Sequence, residues 1–281
     1  NTDSLIVTSR NNTYIGLLPL STLLTSDTEL TVGDVMTRDT EFIKASTEDD
    51  DVAKVFETHD LISAPVVDKD MKLLGRITID DVVDVIRDEG DHNVLSMAGL
   101  NEEEDLFAPV VPSARRRAVW LGINLVTAFM ASWVVSDFGG TLEKVVAIPV
   151  LMNGVASLGG IAGTQTLTLV IRGLALGQVS KSNKRWLLMK EVVVGLLNGA
   201  GWALVIAVTA AFWFDDIKIG LVIAAAIIIN LFIAAFSGVA IPLVMRRFNI
   251  DPAIAGSVVL TTITDIVGLA AFLGLATIFL I

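Results

Sequence analysis

Beyond Arg115 the polar residues of this 281-residue chain retreat into short clusters, and the intervals between them are almost wholly apolar. Five such intervals, about 118–137, 143–173, 186–214, 217–245 and 252–281, are long enough for helices that cross a bilayer, which takes about 20 residues. The second and third exceed one crossing and are expected to tilt, kink or extend past the membrane. Ahead of them the pattern changes in kind. "LIVTSRNNTYIGLLPLSTLL" and "PVVDKDMKLLGRITIDDVVDVI" each read as strand, polar turn, strand ending near glycine, then helix, with Gly16 and Gly75 at equivalent points. The stretch between them supplies a linker, a strand, a helix and the next strand. Alternation at this period predicts a pair of small α/β repeats. The predicted fold class is therefore an α-helical, five-span transmembrane domain preceded by an α/β tandem-repeat domain. Residues 1–92 form the repeat pair, its first repeat expected to be incomplete, 93–117 an acidic connector and 118–281 the membrane domain.

Charge separates the same two halves. Up to Ala114 there are 24 acidic residues against 8 Lys and Arg; from Arg115 onward there are 7 against 12. An acidic soluble half repels phosphate and excludes nucleic acid as a partner, whereas divalent cations suit it. With no cysteine and only His59 and His92, thiol chemistry is excluded and a zinc site would need carboxylate help. No GxxxxGK[ST] loop is present for ATP hydrolysis, and the chain reads as a non-enzyme. Basic residues alternate across the spans. Arg115–Arg117 precede the first, Arg172, Lys181, Lys184 and Arg185 lie between the second and third, and Arg246 and Arg247 between the fourth and fifth. The opposite turns hold one lysine each. This predicts a multi-pass protein of the inner (plasma) membrane, its acidic half cytoplasmic and its C-terminus on the far side. "NTDSLIVTSRNN" has no signal-peptide pattern and reads like the middle of a soluble domain, so residues are expected ahead of Asn1.

The last span holds one charge, Asp265, with Ser257, Thr261 and Gly268 on its helical stripe. An intramembrane carboxylate is either protonated or bonded to a neighbouring helix, or it faces a water-filled ion path. The second is the default expectation, and it makes Asp265 the candidate cation position. In the second span Asn153, Ser157, Gly160 and Thr164 share a face, which serves either close helix packing or a wet path. On the connector, Asp81, Asp84 and Asp88 fall on neighbouring turns, followed by Glu89, Asp91 and the run Glu102–Asp105. They are either a solvated face or weak, exchangeable divalent sites, since Mg2+ is content with one or two carboxylates and retained waters.

The repeat layout resembles a tandem CBS pair, a regulatory module that often binds adenine nucleotides. In "GRITIDD", Thr78 and Asp81 match the family's Thr/Ser-x-x-Asp signature, whose hydroxyl meets phosphate and whose carboxylate meets ribose. A turn and helix-cap role for Thr78 is the alternative. Pro19 replaces the hydroxyl in the first repeat, so that resemblance implies at most one nucleotide site. The whole chain resembles the MgtE family of magnesium channels and transporters. "DPAIAGSVVLTTITDIVG" follows its Asp-Pro-Ala … Thr-Thr-x-x-Asp-x-x-Gly pattern, and "ASLGGIAGTQTLTLVIRGLALG" its signature in the second span. The resemblance implies a homodimer with a pore on the two-fold axis, Asp265 and its copy forming the ion site, and Asp251 as a second acid near the pore entrance. The sequence departs in two ways. The acidic helical domain that commonly precedes the CBS pair is not in this sequence, and Ile161 and Thr164 replace frequent asparagines, leaving Asn153, Thr164 and Gln165 as weaker contacts.

The resulting expectation is a Mg2+-selective channel in the lipid bilayer, closed by cytoplasmic Mg2+ and modulated by ATP through the CBS pair. Its metal positions are Asp265, Asp251, Thr261, Asp84, Asp88, Glu89 and Asp91, and its nucleotide positions Thr78 and Asp81. The alternatives are a cation- or proton-coupled carrier, or a non-conducting nucleotide sensor anchored in the membrane.

Overall fold

The computed structural model describes residues 3–100, 107–180 and 182–281; the acidic run Glu102–Asp105 and Lys181 lie outside these. The chain divides into two compact units, Asn1–Val94 and Leu95–Ile281.

The first unit opens with β1 (Ser4–Thr8) and β2 (Tyr14–Pro19), an antiparallel pair in which Ser4 faces Pro19. Two short helices follow, α1 (Leu20–Thr25) and α2 (Val32–Val35). Then come β3 (Ile43–Lys44), α3 (Asp49–His59), β4 (Ser63–Val67), β5 (Leu73–Thr78) and α4 (Ile79–Met97). Here β3 runs parallel to β4, and β5 antiparallel to it. The two repeats thus show as β1–β2–α1 and β4–β5–α4, each a hairpin feeding a helix. Their turns are joined: Tyr14 N–H donates to the Met71 carbonyl at 2.8 Å, and Leu73 N–H to that of Asn12 at 2.9 Å. Gly16 is glycine for a steric reason, because a Cβ there would stand 2.3 Å from the Thr37 carbonyl oxygen. Ile43, Val52, Phe56, Ala64 and Val82 close the core between α3, α4 and the three-stranded sheet.

Asp3 fastens the chain's start to the second repeat. Its carboxylate accepts from Ser63 Oγ at 2.7 Å and Ser4 Oγ at 3.3 Å, while Arg76 donates to the Ser4 carbonyl. Burial pushes the Asp3 carboxyl up, but these hydrogen bonds, its own backbone and the Arg76 charge outweigh it and hold the group below its ordinary value. A depressed folded value contributes stability above the unfolded one and loses it as pH falls through the folded one. Asp3→Asn should therefore cost about 1 kcal/mol at neutral pH, a low figure because the carboxylate is partly solvated. The deficit should vanish under acid. Hydrogen exchange at the β4 amides, measured from neutral pH to about 3 around the carboxylate range, checks both.

The second unit holds α5 (Val110–Ser136), α6 (Gly139–Lys144), α7 (Ala147–Ala175), α8 (Lys184–Phe214), α9 (Ile217–Arg247) and α10 (Pro252–Leu280). All but α6 are long and apolar enough to cross a membrane. Two boundaries differ from the apolar pattern. Helix α5 begins at Val110, so the arginine triplet lies inside it; Pro112 is tolerated because first-turn amides have no partner to lose. The turn after it folds into α6, which delays α7 to Ala147. Helix α9 is the hub, packed against α7, α8 and α10. Its seam with α8 is made of small residues: a Cβ on Gly195 would meet Ala235 Cβ at 2.6 Å, and one on Gly220 the Ala207 carbonyl oxygen at 2.4 Å. Helices α5 and α8 expose Trp133, Trp186, Trp202, Phe212 and Trp213 outward, as lipid-facing helices do.

Candidate cation path and regulatory module

Helix α10 begins on Asp251, whose carboxylate accepts the Ala253 N–H at 2.8 Å, with Pro252 in the first turn. An acid at a helix N-terminus answers both the unpaired amides and the dipole. Further along, Thr262 Oγ1 donates to the Val258 carbonyl at 2.7 Å, Thr264 Oγ1 to that of Leu260 at 3.1 Å, and Thr261 Oγ1 to that of Ser257. With its hydrogen spent on the backbone, the exposed Thr261 hydroxyl presents lone pairs, whereas Thr264 is fully buried in the packing. Water bound to a cation points its hydrogens outward, so acceptors are what a hydrated ion needs. Asp265, the fourteenth residue of α10, stands one turn beyond Thr261 and is half-buried.

Helix α7 lies alongside. A Cβ on Gly160 would sit 3.5 Å from Thr261 Cγ2, and one on Gly163 3.0 Å from Leu260. The face of Asn153, Ser157, Gly160 and Thr164, expected to serve either packing or a wet path, divides by this geometry. Gly159, Gly160 and Gly163 are buried packing floors, whereas Asn153, Ser157, Thr164 and Gln165 are exposed on the unit's surface, as Thr261 is. A polar seam of α7 and α10 side chains therefore runs along the Gly160–Thr261 contact, with half-buried Asp265 one turn further along α10. Gly268 leaves the stripe assigned to it: a Cβ there would meet Asn230 Nδ2 of α9 at 2.5 Å, so it faces the helix packing.

Among the buried polar residues of the spans, Asn230 and Glu191 carry the largest polar groups, and the sequence pattern singled out neither. Asn230 is 1% exposed and donates to the Val155 carbonyl at 2.8 Å. Glu191 of α8 is 4% exposed, accepts from Lys190 Nζ at 2.6 Å and lies 3.4 Å from Thr166 Oγ1. Each was visible as a polar letter in an apolar run. Glu191 and Asp265 are the two acids of the five long helices, and Lys190 already neutralises the first.

The end of α4 belongs to this unit from Leu95 onward. Met97 joins the apolar cluster of Leu167, Ile171, Ile241, Ala253 and Leu260, and its carbonyl accepts from Ser257 Oγ at 3.4 Å. Gly99 adopts φ +73°, and a Cβ there would strike the Trp120 indole at 2.2 Å. The last turn of α4 is thus seated at the foot of the polar seam.

Of the connector acids, Asp84, Asp88 and Asp91 are exposed, and Glu89 Oε1 accepts from Asn93 Nδ2 at 3.2 Å. Among the described residues no three acidic or histidine side chains converge as a metal cage would require. Thr78 and Asp81 do meet, but each other: Asp81 Oδ2 accepts the Thr78 N–H at 3.2 Å and its Oγ1 at 3.1 Å. Thr31 and Asp34 repeat this arrangement at the start of α2, where the Thr31 hydrogen bonds hold the Asp34 carboxyl below its ordinary value. The pairing is therefore a helix-start device in its own right. Pro19 precedes α1 without a side-chain cap.

Five long apolar helices carrying a polar seam, preceded by paired α/β repeats, define a multi-span membrane protein with an attached regulatory-type domain. Residues 152–275 match the MgtE family, described as a divalent cation transporter, and residues 32–88 match the CBS domain. The magnesium transporter MgtE of Bacillus subtilis is 30% identical over 276 residues, 98% of this chain and 61% of that protein. Its namesake in Enterococcus faecalis is 28% identical over 274 residues, 98% and 60% of the respective chains. A crystal structure of the cytosolic domain of the Mg2+ channel MgtE in complex with ATP is 28% identical, with a TM-score of 0.30, covering 30% of this chain and 34% of that one. Residues 152–275 thus carry an MgtE-family domain, and both curated relatives are magnesium transporters by name. The chain spans about three fifths of the length of the two curated relatives.

Proposed function

We propose that this chain conducts Mg2+ as a homodimeric, Mg2+-selective channel of the plasma membrane, with its N-terminal half cytoplasmic and its C-terminus on the opposite side. In this reading residues 1–92 are a cytoplasmic CBS pair, 93–117 the acidic connector and 118–281 the pore domain. One observation carries it: Asn153, Ser157, Thr164 and Thr261 are exposed on the outer surface of a single chain, with half-buried Asp265 one turn from Thr261. Facing lipid, such a surface would cost several kcal/mol for its unsatisfied polar groups. A second copy across a two-fold axis turns it inward, closes an aqueous path and sets two Asp265 carboxylates on the axis. Mg2+ sheds water reluctantly, so a path of acceptors and two negative charges can pass it with its shell largely intact. Uptake by proteoliposomes across divalent ions, with the oligomeric state measured on the same sample, tests this. Uptake of Mg2+ by a dimer supports it; a monomer, or a dimer that carries no divalent ion, removes it.

Cytoplasmic Mg2+ closes this channel through the acidic half, with Asp84, Asp88, Glu89 and Asp91 as part of the sensor and Asp251 at the pore's inner mouth. ATP is the proposed second regulator. Thr78 and Asp81 sit at the start of α4, and Asp81 keeps one carboxylate oxygen outside the pairing, available to ribose hydroxyls. Asp81→Ala should lower ATP affinity by about tenfold or more, the loss of one charge-assisted hydrogen bond of roughly 1.5–3 kcal/mol. It should also cost about 1 kcal/mol of stability through the lost cap. Calorimetric titration of the whole chain with ATP separates the two effects, because a purely structural pair changes stability and leaves the affinity alone.

A further inference from the structure

Asn230, the fourteenth residue of α9, sits between two glycines on different helices. A Cβ on Gly159 of α7 would stand 2.2 Å from its Nδ2, and one on Gly268 of α10 would stand 2.5 Å away. The orientation of the amide is fixed, because its neighbour is the Val155 carbonyl, which accepts and cannot donate. Among the described residues the buried amide oxygen has no hydrogen-bond partner. In the middle of an apolar helix an isosteric apolar side chain would avoid that cost. Local rules broken at one buried position point to function rather than to stability.

The position of the break is informative. Gly268 lies one turn beyond Asp265, and Thr261 one turn before it. Thr261 rests on Gly160, the residue next to Gly159. Two glycine-floored contacts therefore bracket Asp265 on α10: Asn230 against Gly268 behind it, and Gly160 against Thr261 in front. The amide also bonds α7, so one side chain spaces both helices of the polar seam from the hub. We infer that Asn230 is a positioning residue that sets the height and rotation of Asp265 against α7. The inference rests on the transport reading for its consequence and on geometry alone for its mechanism.

The test uses both. The chain has no cysteine, so Gly160→Cys with Thr261→Cys gives a disulfide reporter of the α7–α10 contact, where a Cβ at position 160 stands 3.5 Å from Thr261 Cγ2, a position a cysteine sulfur can take. In full-length protein Asn230→Ala should slow its oxidation by about tenfold and cut Mg2+ uptake by about 10- to 100-fold, as a displacement of about 1 Å does to a functional group. Gly268→Ala should do the same by overpacking. The double variant Asn230→Ala with Gly268→Ala should recover both readouts toward wild type, because the added methyl fills space the amide vacated. Recovery separates positioning from general damage. Wild-type oxidation and uptake in Asn230→Ala, or a double variant no better than either single one, would overturn the inference. A normal pattern of cross-linking in a protein that carries no Mg2+ would instead remove the transport reading and leave the positioning intact.

Discussion

Asp265→Ala is expected to reduce Mg2+ uptake by proteoliposomes to the leak of protein-free vesicles, while the protein still purifies at its wild-type oligomeric size. The carboxylate stands at mid-length of α10, half-buried, beyond hydroxyls whose hydrogens are already committed to the helix backbone. Such hydroxyls hold a hydration shell but bring no charge. Lys190 neutralises Glu191, the other acid of the long helices, so nothing else in the spans can replace the lost charge. Losing about 1.5–3 kcal/mol of charge-assisted interaction lowers occupancy roughly 10- to 150-fold per carboxylate, and a dimer loses two. Asp265→Asn keeps the shape and the oxygen yet should be nearly as severe, which distinguishes charge from coordination geometry. Asp265→Glu should retain measurable flux. Uptake near wild type in a correctly assembled Asp265→Ala protein would place the ion elsewhere.

What the sequence disclosed follows from what each signal depends on. The spans were legible because lipid imposes a run of apolar residues that no tertiary contact can override. The α/β repeat was legible because strand and helix periods differ. Boundaries moved where local chemistry outweighed hydropathy: Val110–Arg117 is helical despite three arginines, since snorkelling side chains need not interrupt a helix. Residue roles were less legible. Gly268 shares a stripe with Asp265 by helical arithmetic, but a residue three positions on is rotated toward its neighbour helix, and only the packed partner Asn230 reveals which face it serves. Asn230 and Glu191 were written in the sequence as plainly as Asp265. A partner on another helix, the Val155 carbonyl or Thr166, is needed before their burial has meaning. Thr78 and Asp81 illustrate the reverse case. Their spacing matched a nucleotide signature, while the same spacing at Thr31 and Asp34 builds a simple helix start.

Neutralising Asp84, Asp88, Glu89 and Asp91 together should abolish most of the inhibition of transport by internal Mg2+. Three of these acids are exposed on α4, and Glu89 is held by Asn93. No three acids converge among the described residues, so a single chain offers Mg2+ no closed cage. Weak, exchangeable binding by one or two carboxylates through retained waters is what a sensor of a millimolar-abundance ion requires, and tight binding would lock it. Like charges about 4–8 Å apart repel by roughly 2–4 kcal/mol per pair at an effective dielectric of about 20. Salt screening lowers this at the surface, yet several pairs still exceed the few kcal/mol that separate two conformers. Bound Mg2+ removes the repulsion and favours the compact arrangement. The far end of α4 can transmit that choice, because Met97 packs with Ala253 and Leu260 of α10 and its carbonyl accepts from Ser257 two turns below Asp265. In the wild type, Mg2+ should protect the cytoplasmic half from protease with a midpoint near that of channel closure. In the fourfold variant both midpoints should disappear together, whichever state the channel settles in. Closure at the wild-type Mg2+ concentration in that variant would make these four acids a solvated face and move the sensor elsewhere on the acidic half.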